Sequence, residues 1–343
     1  MRNLILTTFA IMFAYLNLCS QVTIGNVKLD NVSTAEINES ILETSGTAKI
    51  TLAKNFSKFR GKSILEQFKV GDPVEIQLGY NDKLKSEFTG FVTEIESDIP
   101  LIIHCEDAMY KLKQTNYTKA WISVTLKEVL TAIIPKTIKV ECPHVPFGKF
   151  IIDNENAFVV LQRMQKDYGL YARLRDNVLN IEMAYVIGDG VKEAHEYIIG
   201  RNIKKNALKY KSKDDFKLRV KATGRKFKGK EKIDENGNHT ETAEVIVGCK
   251  EKEAQEIHVR FNNITDKAQL KQIAESIYSK RAYDGYTGSI TGFGFPRTRA
   301  GDAMVIKDTE YSDREGKYLI EKVTISYGEN GFERKNDLTI KLS

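Results

Sequence analysis

Few residues in this sequence have the types and spacing for chemistry, and they are scattered. His104, Cys105, Glu106 and Asp107 stand in a row, a donor set that would suit a transition metal if it converged. Consecutive residues of a strand point to opposite faces, so four adjacent side chains cannot meet at one ion. The run reads instead as a strand end whose Asp107 caps a helical turn with Ala108, Met109 and Leu112 on its apolar side. Cys142 and His144 could approach one ligand, yet Pro143 and Pro146 mark a turn and no neighbour completes a set. Gly288, Gly292 and Gly294 miss the GxGxxG spacing of a dinucleotide site and run into Pro296. No nucleophile elbow singles out a serine for a triad. The expectation is therefore no catalytic residue, no cofactor, no metal and no enzyme.

Charge is the other candidate. The chain carries a net charge of +6, but residues 204–232 hold thirteen Lys or Arg against three acids, a local +10 that leaves −4 for the rest. Lys209, Lys211 and Lys213, then Lys217, Arg219 and Lys221, recur every second residue. On a strand that spacing lines one face with positive charge, which suits phosphates. Tyr210, Phe216 and Phe227 are too few aromatics for a base-stacking platform, so a solvated or partner-facing arm is expected.

The elements that would position these residues are mostly strands. At 343 residues, 41% hydrophobic and 29% charged, the chain has the make-up of a globular protein of two to four domains. Cys19, Cys105, Cys142 and Cys249 are far apart with no CxxC pair, which fits a reducing compartment. The sharpest pattern lies in residues 70–113. Val74, Ile76 and Leu78 alternate with Glu75 and Gln77, and Gly79 with Asn81 and Asp82 ends the strand. Phe91, Thr93 and Ile95 define a second strand and residues 101–105 a third. Upstream, VTIGNVKL, STAEINESIL and TAKITLA bring the count in residues 13–115 to about six strands, enough for a small barrel. A basic loop at residues 55–69 carries Phe56, Phe59 and Phe68.

From residue 116 the period changes. Val124, Leu126, Val129, Leu130 and Ile133 sit at helical spacing, with Ser123 as the cap and Pro135 as the stop. A second helix is expected over residues 154–168, ended by Gly169, with strands at 138–141, 170–174 and 178–182. Residues 116–187 thus read as a small α/β insertion. Residues 188–343 return to strands, with a β-arm over residues 204–250 turning at Asn236 and Gly237. A helix over residues 265–283, capped by Thr265, carries a stripe of Leu270, Ile273, Ala274 and Ile277.

Residues 1–12 admit three readings. An apolar run after Arg2, interrupted by Thr7 and Thr8 and lacking a small-residue cleavage site, imitates a secretory signal imperfectly. Cys19 suggests lipid attachment but follows Leu18 rather than a small residue. Translation from Met12 instead turns the next residues into a first strand.

An internal echo links the two strand-rich segments. Residues 299–328, RAGDAMVIKDTEYSDREGKYLIEKVTISYG, reproduce the spacing of residues 70–97, VGDPVEIQLGYNDKLKSEFTGFVTEIES. Gly71 and Asp72 answer Gly301 and Asp302, while Gly79, Gly90 and Gly316 punctuate the strands. The fold class expected is α+β and β-rich: two similar antiparallel β-barrels, residues 13–115 and 188–343, separated by the α/β insertion, with these seven residues as their structural turns.

Taken in order, GDPVEIQLGY, FTGFVTEIE, the HCED helix start, SVTLKEVLTAI, DYGLYARLRDNVLNI and RAGDAMVIKD with GKYLIEKVTISYG resemble the late control D family. These are baseplate hub proteins of contractile-tailed phages, whose relatives include the hub half of type VI secretion spike proteins. The resemblance covers residues 13–342. It implies a homotrimer whose two tube-like barrels per chain make a ring of six, a symmetry adaptor between a hexameric tail tube and a trimeric spike. The implied partners are the tail tube protein, a spike and other baseplate proteins, with nucleic acid only as passing cargo and no stable membrane anchoring. Because the sequence stops at Ser343 without the glycine-periodic β-helix of fused members, the spike is expected as a separate chain. The implied location is a virion or phage-like particle assembled in the bacterial cytoplasm. The alternative is a secreted or periplasmic, lipoprotein-like β-rich binding protein, exported if residues 1–12 begin a real signal.

Overall fold

A computed structural model of the protein describes residues 17–30, 32–52, 67–96, 100–183, 191, 193–213, 217–227, 240–251, 253–262, 264–308, 310 and 315–342. The leader at residues 1–12, the Met12 start, Phe56 and Phe59 of the basic loop, and the turn at Asn236 and Gly237 lie outside the described residues.

The chain opens with the hairpin β1 (Leu18–Ile24) and β2 (Val27–Asp30), then β3 (Thr34–Ser40) and β4 (Thr47–Leu52). The strongly patterned stretch forms β5 (Pro73–Tyr80), β6 (Lys83–Glu96) and β7 (Leu101–Glu106), followed by a 3-10 turn, Ala108–Lys113. Alternation works as expected in β5, where Val74, Ile76 and Leu78 are buried and Glu75 and Gln77 are not. Asn81 and Asp82 join β5 to β6 with φ of 51° and 60°, the positive pair that a two-residue hairpin turn needs.

The middle of the chain builds β8 (Asn116–Thr125), α1 (Leu126–Ile133), β9 (Lys139–Glu141), β10 (Pro146–Asn156), α2 (Ala157–Tyr168), β11 (Leu170–Arg175) and β12 (Val178–Met183). Helix α1 starts later than its hydrophobic spacing suggests. Thr125, not Ser123, is the cap, because Thr125 and Glu128 satisfy each other's backbone amides in a capping box, while Val124 is the buried end of β8. Asn156 likewise caps α2, and Gly169 ends it with φ of 63°. Strands β8 and β10 pair with each other. Neither shows in the sequence pattern, because most of β8 is exposed, Ile122 included. Side chains from both helices and all five strands share one core, centred on Leu126, Leu130, Ile152, Val160 and Leu179.

The last part contributes β13 (Ala194–Ile198), β14 (Ile203–Lys211), β15 (Leu218–Phe227), β16 (Thr240–Gly248), β17 (Gln255–Asn262), α3 (Lys267–Arg281), β18 (Gly285–Phe293), β19 (Ala303–Lys307), β20 (Gly316–Gly328) and β21 (Gly331–Lys341). Helix α3 is capped by Asp266, whose carboxylate accepts from the Ala268 amide, and not by Thr265. Its buried stripe of Leu270, Ile273, Ala274 and Ile277 covers a separate three-stranded sheet, β16-β15-β17. None of the described helices is long and apolar enough to cross a membrane.

The alternation predicts two barrels; the described residues instead form one open sheet of 13 strands. Its order is β14-β18-β21-β20-β3-β4-β7-β6-β5-β1-β2, with β19 attached to β20 and β13 to β19. Among the described residues β2 does not pair with β3, nor β14 with β13, so neither half closes on itself. The reason lies in β20. Past the end of β19, its free side takes β3 of the other half, Lys322↔Ser40 through Tyr327↔Ala35. A strand that a closed first barrel would pair internally is spent on joining the halves, and a period-two pattern cannot announce that choice.

A single core runs through both halves, from Val22, Ile24 and Ile76 to Ile306, Ile320 and Phe332. It encloses a charged pair. Glu87 of β6 and Arg334 of β21, their side chains 2% and 1% exposed, meet at 2.9 Å. That contact is an ion pair whose angles fall short of a hydrogen bond. Arg334 also donates to the Gly294 and Thr298 carbonyls, at 3.2 and 2.9 Å. Removing one member of a buried pair strands the other, at a cost of ~3–5 kcal/mol, whereas replacing both with apolar groups is often near neutral. Glu87 also accepts from Arg297 Nε at 3.3 Å, so Glu87→Leu, which strands the buried Arg334, should lower the urea midpoint more than Arg334→Met, and the double variant by less than the sum of the two; losses that simply add would contradict this account.

Candidate functional site

The residues singled out as turns come together in two copies of one device. At Lys69 to Asp72 the Asp72 amide donates to the Lys69 carbonyl (3.1 Å), and at Arg299 to Asp302 the Asp302 amide donates to the Arg299 carbonyl (3.1 Å). Gly71 and Gly301 have φ of +91° and +93°, as the third residue of a type II turn requires. Each aspartate then reaches back to the turn's first amide, Asp72 to Lys69 at 2.8 Å and Asp302 to Arg299 at 2.7 Å. Each turn also clamps a long strand. The Gly71 amide donates to the Val92 carbonyl and the Val92 amide to the Asp72 carbonyl, at 2.8 and 2.9 Å; the same bonds, at the same distances, link Gly301, Ile320 and Asp302.

Register extends the match. Just beyond the clamp, the β6–β7 ladder slips between Val92 and Glu94, and the β20–β21 ladder slips between Ile320 and Lys322. Such bulges bend a strand and strengthen its twist. Of the remaining expected turn residues, Gly90 lies where β6 passes β7, and a Cβ there would sit 2.0 Å from the Glu106 carbonyl oxygen. Gly79 closes the β5–β6 hairpin and Gly316 opens β20 against the Tyr318 ring.

The two turns differ in what covers them. Asp72 is partly exposed, whereas Asp302 is buried. The cover is the β11–β12 hairpin: Arg175 donates to the Ala300 carbonyl at 3.1 Å and to Glu39 of β3 at 2.8 Å. One guanidinium thus ties the middle of the chain to both half-sheets. Beside it, Asn38, Glu39, Asp107, Arg175, Arg297 and Arg299 line a cleft of about 480 Å³.

Two neighbouring donors and one that the sequence keeps far from them also meet here. Glu193, His195 and Asp302 present ligand atoms within 4.8 Å of one another, with His195 Nε2 3.3 Å from Asp302 Oδ2. Only folding across 107 residues brings them together, so no spacing could announce them. The same Asp302 oxygen already accepts the Arg299 amide, and Arg175 adds positive charge alongside. Both features favour an imidazole–carboxylate latch over a cation site. Burial raises the Asp302 pKa, opposed by the Arg299 bond and by the Arg175 and His195 charges.

The run from His104 to Asp107 diverges. His104 meets Glu96 at 2.5 Å, the Cys105 thiol is buried in the core and pushed up to about 12 by that burial, and Glu106 pairs with Lys113 at 2.7 Å. Asp107 does cap the next turn, accepting the Met109 amide at 2.9 Å, and also takes the Gly46 amide at 2.6 Å.

The basic segment is divided between two sheets. Lys209 and Lys211 lie on β14, and Lys213 follows it. Lys217 precedes β15, which carries Arg219 and Lys221. The latter three are paired within the chain: Lys217 with Glu251, Arg219 with Glu256 at 2.7 Å and Lys221 with Glu244 at 2.8 Å.

No family model matches the chain, and no curated protein matches its sequence. Solved structures do match its fold. The prophage MuSo2 43 kDa tail protein from Shewanella oneidensis aligns over 94% of this chain and 97% of its own, with a TM-score of 0.61 and 16% identity. A tail protein from Neisseria meningitidis MC58 aligns over 94% and 96%, with a TM-score of 0.62 and 13% identity. An E. coli component of the type VI secretion system, described as structurally similar to the T4 bacteriophage tail proteins gp27 and gp5, aligns over 93% and 76%, with a TM-score of 0.59 and 10% identity. The chain has the fold of phage tail and type VI secretion proteins.

Two predictions follow from the turns and the cap. Gly71→Ala and Gly301→Ala each force a side chain into positive φ, at about 1–2 kcal/mol. Gly301→Ala should cost slightly more, because its Cβ would sit 2.1 Å from Arg173 Nη1, displacing a group that pairs with Glu182. Urea unfolding that leaves either midpoint unchanged would contradict the shared turn geometry. Burial raises Asp107 from 3.8 to about 6, against the bonds from Gly46, Met109 and Ser45. The folded chain therefore holds this proton more tightly than the unfolded one. Its stabilising contribution is full below 3.8 and lost as pH rises through about 6. The melting temperature of the wild type minus that of Asp107→Asn should fall between pH 5 and pH 7.5; a constant difference would remove the group from the pH response.

Proposed function

We propose that the protein is a structural hub of a phage or phage-like contractile injection machine. In this role it is a homotrimer that adapts a hexameric tail tube to a trimeric spike, with other baseplate proteins around it and nucleic acid only as passing cargo. The observation that carries this reading is the repeated turn, clamp and bulge. Two half-sheets of matching backbone in one chain give six similar units in three copies, the arithmetic that a three-to-six adaptor needs. The fold shared with tail proteins over more than nine-tenths of the chain supports it.

Within that role the chain divides by task. Residues 13–115 and 188–343 supply the repeated sheet units, and residues 116–187 form the insertion that pins them through Arg175. The seven turn residues set the path of the ring wall, and the basic segment at 204–232 supplies contact charge. The particle is the proposed location, reached by assembly in the bacterial cytoplasm.

Light scattering of the purified protein at tens of micromolar should return about three times 38.9 kDa, alone or after addition of the cognate tail tube protein. A monomer under both conditions would overturn the proposal.

A further inference from the structure

The joint between the two half-sheets is a template for a second joint that the single chain leaves unmade. The ladders superimpose the halves residue by residue. Val92 faces Cys105 and Ile320 faces Leu338 at the matched bulges. Cys105 faces Ala48, and Leu338 faces Gly288. Ala48 faces Ile37, and Gly288 faces Leu208. Strand β14 is therefore the counterpart of β3, with Leu208 in the place of Ile37. Likewise the end of β6 is the counterpart of the end of β20, with Glu94 in the place of Lys322.

Their surroundings differ in one respect. Strand β3 is held between β4 and β20. Strand β14 has β18 on one side and, among the described residues, no strand on the other. Residues 94–96 of β6 have β7 on one side and, past the end of β5, no strand among the described residues on the other. Two edges that pair in one half are thus open in their counterparts, and β14 cannot reach its own β6 because they lie at separated places in the same sheet order.

We infer that β14 of one copy pairs antiparallel with the end of β6 in a second copy of this chain, in the register that β3 makes with β20. That register puts Asn38 opposite Thr324, Glu39 opposite Val323 and Ser40 opposite Lys322. Transferred between copies, it puts Lys209 opposite Glu96, Tyr210 opposite Ile95 and Lys211 opposite Glu94. All three pairs are complementary: two of opposite charge and one of an aromatic with a β-branched residue, the kinds that stabilise neighbouring strands. The transfer also accounts for Tyr210, which is 59% exposed in the single chain, and for exposed Lys209 and Glu94; Glu96, also exposed, would share its carboxylate between Lys209 and its own His104. Lys211, whose ammonium donates to the Arg281 carbonyl at 2.8 Å, contributes field more than direct contact. The contact is head-to-tail, so successive copies make a ring if the rotation closes; closure at three copies rests on the hub reading above.

Cysteine pairing tests the register. A chain carrying both Lys209→Cys and Glu96→Cys, mildly oxidised, should give a covalent ladder ending at three chains, while wild type and each single variant give none. A trimer by light scattering that yields no ladder would overturn this joint and leave the hub reading standing. A monomer that yields no ladder, with or without tube protein, would overturn both. Charge reversal adds an independent arm. Lys209→Glu with Lys211→Glu should abolish the trimer, and adding Glu94→Lys with Glu96→Lys should restore it; a trimer that survives the first pair, or fails to return with the second, counts against the register.

Discussion

The pairing of β3 with β20 is the constraint on which the rest depends. Six residues near one end of the chain form a ladder with six near the other, and a side-chain bond joins Thr324 to Asn38 across 286 residues. Without it the two half-sheets have no shared backbone and the common core would split. The bulge in β20 makes the joint, since it turns the Glu321 carbonyl toward the Ile41 amide at 2.9 Å. Other cross-links depend on this alignment. The Tyr80 hydroxyl reaches the Phe332 carbonyl at 2.9 Å, and Glu87 meets Arg334, only when the β5–β6 hairpin is already laid across the second half.

The halves share backbone and diverge in side chains. The turns, clamps and bulges agree to about a tenth of an ångström in their bond lengths, while Cys105 answers Leu338 and Ala48 answers Gly288. Backbone geometry sets how a strand bends, and side chains set what it touches. This division lets one unit be buried under the Arg175 hairpin and its counterpart remain partly open.

Much of the wall was legible in the sequence. Period-two patterns placed β5, β6, β7 and β20, and the repeated Gly-Asp spacing identified two turns whose hydrogen bonds coincide. Gly169 as the end of α2 and the α3 stripe were also legible, because local sterics and one buried face decide them. What stayed hidden is non-local. Open sheet and closed barrel share one alternation, so the thirteen-strand order could not be read from it. Strand β8 is mostly exposed and has little buried face to alternate with. Arg175 falls between the expected strands at 170–174 and 178–182, and its role arises only where Ala300 and Glu39 come to it. The regular lysine spacing suggested one continuous face, but the chain passes from one sheet to another between Lys211 and Lys217.

The long reach of the β3–β20 joint also sets a timetable for synthesis. Ser40 leaves the ribosome almost three hundred residues before Gly328, an interval of roughly a quarter of a minute to a minute at ~5–20 residues per second. Through that interval every nascent chain carries β3 with one edge uncovered, the kind of template that captures a neighbouring strand. Strand β3 carries Glu36 and Glu39, and charged side chains are one of the ways in which an uncovered edge is guarded. The same carboxylate of Glu39 later receives Arg175: a guard during translation becomes a fastener once the chain is complete.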